Sequence, residues 1–215
     1  MAHPTILAFD TSGPWIGTAL LRDGDVCAAH YVDMKKGQAE HLMPLIQQTL
    51  DEAQVTLPQL DAVGVGIGPG NFTGIRISVS AARGMALALE VPAIGVSLLD
   101  ALAYHAPRPC LATINAPRGM AYVQRFGEAV ARPATMIAKA DMADWVTPGI
   151  TLIGQDSPEL SQALGIPHVP AAFAPASAIA RIAAERLATA QPRPAPLYIK
   201  PADAAPSREQ GPTIL

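Results

Sequence analysis

The stretch from Asp61 to Glu90, DAVGVGIGPGNFTGIRISVSAARGMALALE, constrains the fold more than any other, because it joins an apolar run to a long helical pattern through a glycine-dense corner. Ala62 to Ile67 alternates β-branched with small residues, as a buried strand does. Gly66, Gly68 and Gly70, with Pro69 between the last two, let the backbone turn through conformations closed to other residues. Asn71 is a good N-cap. No proline interrupts Phe72 to Leu89, where Ile75, Val79, Ala82, Met85 or Ala86, and Leu89 recur at helical spacing. The unit is strand, tight glycine loop, helix.

Such a corner aims backbone N–H groups and the positive end of a helix at one point, which suits an anion such as phosphate. A close strand-to-helix crossover needs the same glycines, so the corner reads either as a structural turn or as a phosphate site. The spacing Gly68-x-Gly70-x-x-x-Gly74 is not the dinucleotide fingerprint, and no lysine follows to make a nucleotide P-loop. The helix has a second apolar or small face, Ile77, Ala81, Gly84 and Ala88, and only Arg76, Ser78, Ser80 and Arg83 break the pattern. A helix apolar nearly all round is buried on more than one side. Its second cover is either another layer of the same chain or another protein.

Half of the 215 residues are hydrophobic, enough for a substantial core, while charged residues are 15%, well below the usual quarter. Some of the surface is therefore apolar, which favours a partner. A formal net charge of -3 gives no global pull toward nucleic acid. Cys27 and Cys110 make neither a disulfide framework nor a metal cluster, and two reduced buried thiols are expected. The start MAHPTILAFD lacks a basic region followed by a long apolar stretch, and no run reaches membrane-spanning length uninterrupted, so the expected location is the cytoplasm.

Taken in order, Thr5 to Phe9 is a short apolar strand ending in Asp10-Thr11-Ser12-Gly13. Trp15 to Leu21 and Val26 to Tyr31 follow as strands joined by the Asp-Gly turn Arg22-Asp23-Gly24-Asp25. Gln38 to Gln54 carries Ala39, Leu42, Met43, Ile46, Leu50 and Ala53 on one stripe and reads as an amphipathic helix that Pro44 kinks or starts. Pro92 to Val96 is a strand, and Ser97 caps a helix to about His105. This order makes an α/β half, a hairpin sheet extended by parallel crossovers. Pro107 to Pro109 marks a hinge into a smaller half, with strands Cys110 to Asn115, Met120 to Phe126 and Thr151 to Ile153, and helices Pro158 to Leu164 and Ala176 to Ala190. The segment 191–196, rich in proline, is an extended linker. Leu197 to Lys200 is a last strand or a docking segment. The expected division is a first lobe over 1–106, a smaller lobe over 107–200 and a loose tail over 201–215.

A strand ending in Asp10-Thr11-Ser12, the hairpin, the helix with Glu40-His41-Leu42-Met43-Pro44, and above all Gly68-Pro69-Gly70-Asn71-Phe72-Thr73-Gly74-Ile75-Arg76 together resemble the TsaB (YeaZ) family. The match runs nearly the whole chain, to Leu197-Tyr198-Ile199-Lys200. The resemblance implies the actin-like, ribonuclease H-like two-lobed α/β fold of sugar kinases and chaperone-type ATPases (ASKHA), with mixed sheets flanked by helices. It also implies a role in making N6-threonylcarbamoyladenosine beside the anticodon of tRNA. In that family the protein is an accessory subunit that pairs with itself or with the catalytic paralogue TsaD, joined by the ATPase TsaE, and meets tRNA only indirectly. The seam implied is made by the helices Gln38 to Gln54 and Phe72 to Leu89. Its residues would be His41, Leu42, Leu45, Ile46, Thr49, Phe72, Ile75, Val79, Ala82, Arg83 and Ala86, unless both helix faces are buried within the chain.

The resemblance brings no cofactor of the chain's own, with ATP or ADP and Mg²⁺ placed at the interface of the complex. The residues beside phosphate would be Asp10, Thr11, Ser12, Gly68, Gly70, Asn71, Thr73, Gly74 and Arg76. Asp10 stands where actin-like ATPases keep a carboxylate near phosphates and metal, yet Thr11 to Trp15 lacks their glycine-rich hairpin. The other reading of Asp10 is a cap on the strand end, bonded to nearby N–H groups. The catalytic paralogue carries a His-x-x-x-His metal pair, whereas His3, His30, His41, His105 and His168 have no such spacing, so no catalytic or metal-binding residue is expected. The family commonly has a histidine at the place of Gln38, and Asp-Ala-Arg in place of Asn115-Ala116-Pro117, with Arg118 here one position late. The alternative function is a self-sufficient ATPase or metallopeptidase-like hydrolase built on Asp10 and the glycine loop.

Overall fold

The computed structural model describes residues 4–128, 132–189 and 191–199. Strands β1 (Ile6–Asp10), β2 (Trp15–Arg22) and β3 (Asp25–Asp33) form an antiparallel meander turned at Asp23-Gly24. β4 (Ala62–Gly66) then pairs parallel with β1, and β5 (Ala93–Val96) parallel with β4, giving the order β3-β2-β1-β4-β5. Every residue of β1 and β4 is buried, which explains why they read as continuous apolar runs. Side chains alternate across β1: Leu7 and Phe9 face one core, Ile6 and Ala8 another.

The first core is closed by α1 (Gln38–Glu52) and α2 (Phe72–Leu89). α1 starts at Gly37 in the left-handed region, so Pro44 lies inside the helix and is not its start. Its buried stripe is narrower than expected: Leu42, Ile46 and Leu50 pack inward with Thr49, while Ala39 and Met43 are exposed. α2 begins at Asn71, whose Oδ1 accepts from Gly74 N at 2.9 Å, as its N-cap position required.

α3 (Leu98–Ala103) is capped by Ser97, which accepts from Leu99 N at 3.2 Å. It stops two residues short of His105, which adopts positive φ. A second sheet follows, order β8-β7-β6-β9, from β6 (Cys110–Ala116), β7 (Met120–Phe126), β8 (Thr135–Ala138) and β9 (Thr151–Gly154). A 3₁₀ segment, Lys139–Trp145, and α4 (Ser157–Leu164) cover one of its faces around Leu111, Val123, Met142 and Leu152.

The last helix, α5 (Pro175–Arg186), leaves the second sheet and packs on the first, where Ile179 and Ala183 lie over Gly64 of β4. It joins Ile6, Ala8, Ile94 and Leu99 with Cys110, Ala112 and Ile114 of β6 in one apolar cluster. That cluster is shared by both sheets and sets them side by side. The helix ends at Arg186, before the expected end at Ala190, which lies outside the described residues. Residues 191–199 carry no regular secondary structure, so the expected last strand is absent there: Pro194 is buried beside Gly95, and Leu197 N donates to Ile67 O at 2.8 Å. The expected tail over 201–215 and Lys200 lie outside the described residues. Cys110 is buried as expected, but Cys27 is exposed, because it stands on the outward side of the edge strand β3. No helix among the described residues is long and apolar enough to cross a membrane.

Candidate functional site

The corner after β4 lies directly against the turn after β1. Thr11 Oγ1 donates to Gly74 O at 2.7 Å, and Asn71 N donates to Ser12 O at 2.6 Å. A Cβ on Gly70 would stand 2.2 Å from Ser12 O, and one on Gly74 would stand 1.9 Å from Thr11 O. Only glycine lets the two backbones approach this closely. Two amides that an anion would need, those of Asn71 and Gly74, are already donated within the protein. The corner's geometry is that of a backbone seam.

Asp10, at the end of β1, is fully buried. Ser12 N donates to its Oδ1 at 3.2 Å, while Ser12 Oγ and Trp15 Nε1 donate to its Oδ2 at 3.0 and 2.8 Å. Burial pushes the carboxyl above its ordinary value, against the pull of those three donors. Both oxygens are occupied and the group does not line the neighbouring cleft. The corner therefore does not fit a magnesium nucleotide held by Asp10. Among the described residues no group of three or more His, Cys, Asp or Glu side chains is placed to hold a metal ion.

Gln38 locks the same turn from the start of α1: its Nε2 donates to Gly13 O and Trp15 O, both at 2.7 Å. A cleft of about 660 Å³ opens between the two sheets beside it, lined by Ser12, Trp15, Gln38 and Asn71 on one side and by Asn115, Tyr122 and Gln155 on the other. Asn115 N donates to Gln155 Oε1 at 2.9 Å. Asp156 accepts from Lys139 Nζ at 2.7 Å, and this bond holds its carboxyl below the ordinary value. Arg118, in the turn after β6, is exposed at positive φ.

Of the residues expected beside phosphate, Ser12, Gly70 and Asn71 reach this cleft. Asp10, Thr11, Gly68 and Gly74 are buried, and Thr73 and Arg76 are exposed on the first turn of α2. The residues expected at the helix seam divide more sharply. Leu42, Ile46, Thr49, Ile75, Val79 and Ala82 are buried in the chain's own core, and Ala86 is buried beside an open cleft lined by Pro92 and Leu187. Thr49 also bonds Thr18 across the core at 2.6 Å. Leu45 is part-buried, while His41, Phe72 and Arg83 are exposed.

The outward face of α2 is the one carrying Ser80, Arg83, Gly84, Leu87 and Ala88. Leu87 is 73% exposed, and a Cβ on Gly84 would meet nothing within 4 Å. Helical periodicity offers the apolar positions of both faces to a seam, but it does not say which face meets the sheet. Trp15 and Tyr198 are not among the expected site residues. Trp15 carried a signal, a large indole five residues after a strand-end aspartate. Tyr198 carried none, since its contacts span more than a hundred residues.

The family described as TsaD, tRNA N6-adenosine threonylcarbamoyltransferase, matches residues 33–188. An uncharacterized protein of Mycobacterium tuberculosis is 32% identical over 207 residues, 94% of each chain. The tRNA threonylcarbamoyladenosine biosynthesis protein TsaB of Escherichia coli is 33% identical over 163 residues, covering 67% of this chain and 70% of its own. Among solved structures, YeaZ from Pseudomonas aeruginosa superposes with a TM-score of 0.74 at 26% identity, covering 93% of this chain and all (100%) of its own. Component A of the (R)-2-hydroxyglutaryl-CoA dehydratase of Acidaminococcus fermentans shares the fold alone, with a TM-score of 0.58 at 11% identity, covering 86% of this chain and 100% of its own. The fold is thus the actin-like one that the resemblance implied.

Proposed function

Since the chain belongs to the TsaB (YeaZ) family of tRNA threonylcarbamoyladenosine biosynthesis proteins, we propose that it is the non-catalytic subunit of a cytoplasmic tRNA threonylcarbamoyltransferase complex. In this reading it pairs with the catalytic paralogue TsaD, or with a second copy of itself when TsaD is absent, and TsaE joins the pair. The observation that carries it is the outward face of α2, where a 73% exposed leucine stands one turn from a glycine with open space around it. An exposed large apolar residue beside a smooth backbone is the surface on which a second helix can approach closely. The sequence supports the non-catalytic role, since its histidines lack metal-pair spacing, and so does the corner, where Asp10 is consumed by its own neighbours. Any ATP or ADP with Mg²⁺ belongs at the joint surface with the partner.

Reconstitution tests this directly. TsaD, TsaE, tRNA and the threonylcarbamoyl donor are combined with and without the chain, and modified adenosine is measured. Modification is expected to require the chain, and the chain alone is expected to produce none. Full modification without it would contradict the proposal. So would ATP turnover by the isolated chain that disappears in Asp10→Asn, which would favour the self-sufficient hydrolase.

A further inference from the structure

Resting on the pairing just proposed, we infer that residues 194–199 extend the docking surface of α2, and that the patch formed by Phe72, Arg76 and Tyr198 receives a carboxylate side chain of the partner protein. Two distant parts of the chain meet there, the start of α2 and the C-terminal segment. Arg76 Nε donates to Tyr198 Oη at 2.9 Å. The guanidinium carbon lies 3.8 Å from the Phe72 ring centroid and 5.9 Å from that of Tyr198. The two rings stack at 5.1 Å and 25°. The C-terminal segment is tied down just ahead of this contact, by buried Pro194 beside Gly95 and by the bond from Leu197 N to Ile67 O.

The patch is held in place yet open. Phe72 is 53% exposed and Tyr198 48% exposed, so the stack leaves apolar ring surface facing outward. Among the described residues Nη1 and Nη2 of Arg76 have no acceptor, and only Nε is engaged. A guanidinium fixed by a hydrogen bond and a ring face offers its remaining edge to a carboxylate with little further loss of side-chain freedom. The patch sits on the first turn of the same helix whose outward face carries Leu87, so one partner can cover both. The two exposed arginines of this face, Arg76 and Arg83, on a chain of net charge -3 are a poor footprint for a nucleic-acid backbone, which is held by many cations at once. A carboxylate flanked by apolar side chains on a protein fits better.

The test is titration calorimetry of the full chain against TsaD at low and high salt, using wild type, Tyr198→Ala, Tyr198→Phe, Arg76→Gln and Leu87→Glu. Thermal melts establish that each variant is folded. Tyr198→Ala and Arg76→Gln are expected to weaken pairing about tenfold, more than most interface truncations do. Arg76→Gln is also expected to flatten the salt dependence, a readout that a merely structural role would leave alone. Tyr198→Phe keeps the stack but loses the bond to Arg76, and should fall between wild type and Tyr198→Ala. If Leu87→Glu abolishes pairing while the patch variants bind like wild type with an unchanged salt slope, the inference is overturned and the pairing stands. If wild type does not bind, the pairing itself fails and the inference with it; if Leu87→Glu binds like wild type, the pairing stands but not on the outward face of α2, and the inference is overturned. Loss of tRNA retention by the patch variants, with pairing intact, would assign the patch to phosphate and overturn the inference as well.

Discussion

Asp10 shows how a residue with a catalytic address in one fold becomes a fastening in another chain. Three donors converge on a carboxylate that has no access to water, so they depend on it as much as it depends on them. Each donor left without an acceptor in a buried site costs about 1–3 kcal/mol. Asp10→Ala is therefore expected to lower the urea midpoint strongly, and Asp10→Asn less, since the amide keeps one oxygen for Ser12 Oγ and Trp15 Nε1. An equal, negligible effect of both would show the network to be idle. The sequence presented Asp10 with two readings and left them open, because the deciding partner was an indole whose orientation no spacing reveals. Asn71 was legible by contrast, since a cap depends only on the residues beside it.

Tyr104 supplies a pH prediction at the same scale. Burial, followed by its 2.5 Å hydrogen bond to Glu185, raises its pKa from the ordinary 10.0 to about 12. The folded phenol then holds its proton more tightly than the unfolded one. Its contribution to stability is complete below pH 10 and is lost as pH rises through about 12. Tyrosinate absorbance should show a late-titrating phenol in the wild type, and Glu185→Gln should move it down toward 10.0, with burial holding back the remainder. An unchanged titration in that variant would remove Glu185 from the account.

At the scale of elements, α2 carries the argument because its faces differ in what they meet. Ile75, Val79 and Ala82 pack against the first sheet and α1, whereas Ser80, Gly84, Leu87 and Ala88 face outward. Val79→Glu is expected to bury an unpaired charge and cost several kcal/mol, on the order of 3–5 for an uncompensated buried charge, so that the monomer itself unfolds. Leu87→Glu should leave the circular-dichroism melt near that of wild type and remove pairing. A folded Val79→Glu that fails only to pair would reverse this assignment of faces. The helix and the glycine corner were legible because their signals are local: period, cap and turn residues. β8 was not, being four residues without a turn signal, and it owes its strand state to β7 alongside. Nor was the position of α5, since an alanine-rich helix reads alike on either sheet, and only the close approach over Gly64 selects the first.

At the scale of the molecule, two mixed sheets share one apolar cluster, and α5 binds the end of the chain to its beginning. Residues 194–199 then return to the glycine corner and finish on α2 through Tyr198. The general α/β architecture could be read in the order of apolar runs and turns, and its actin-like identity rested on the family motif. The closure of the chain on itself could not be read, since it depends on contacts between segments far apart. The low charge content pointed to an apolar surface somewhere, and the structure locates a share of it on α2, beside a corner that keeps its own polar groups satisfied. The most direct measurement is size-exclusion chromatography with light scattering on the chain alone, on the chain mixed with its cognate TsaD, and on Leu87→Glu in the same mixture. A one-to-one heterodimer formed at the expense of any homodimer, and lost in Leu87→Glu, is the expected result; a chain that stays monomeric beside TsaD, or a heterodimer indifferent to Leu87→Glu, would contradict the account.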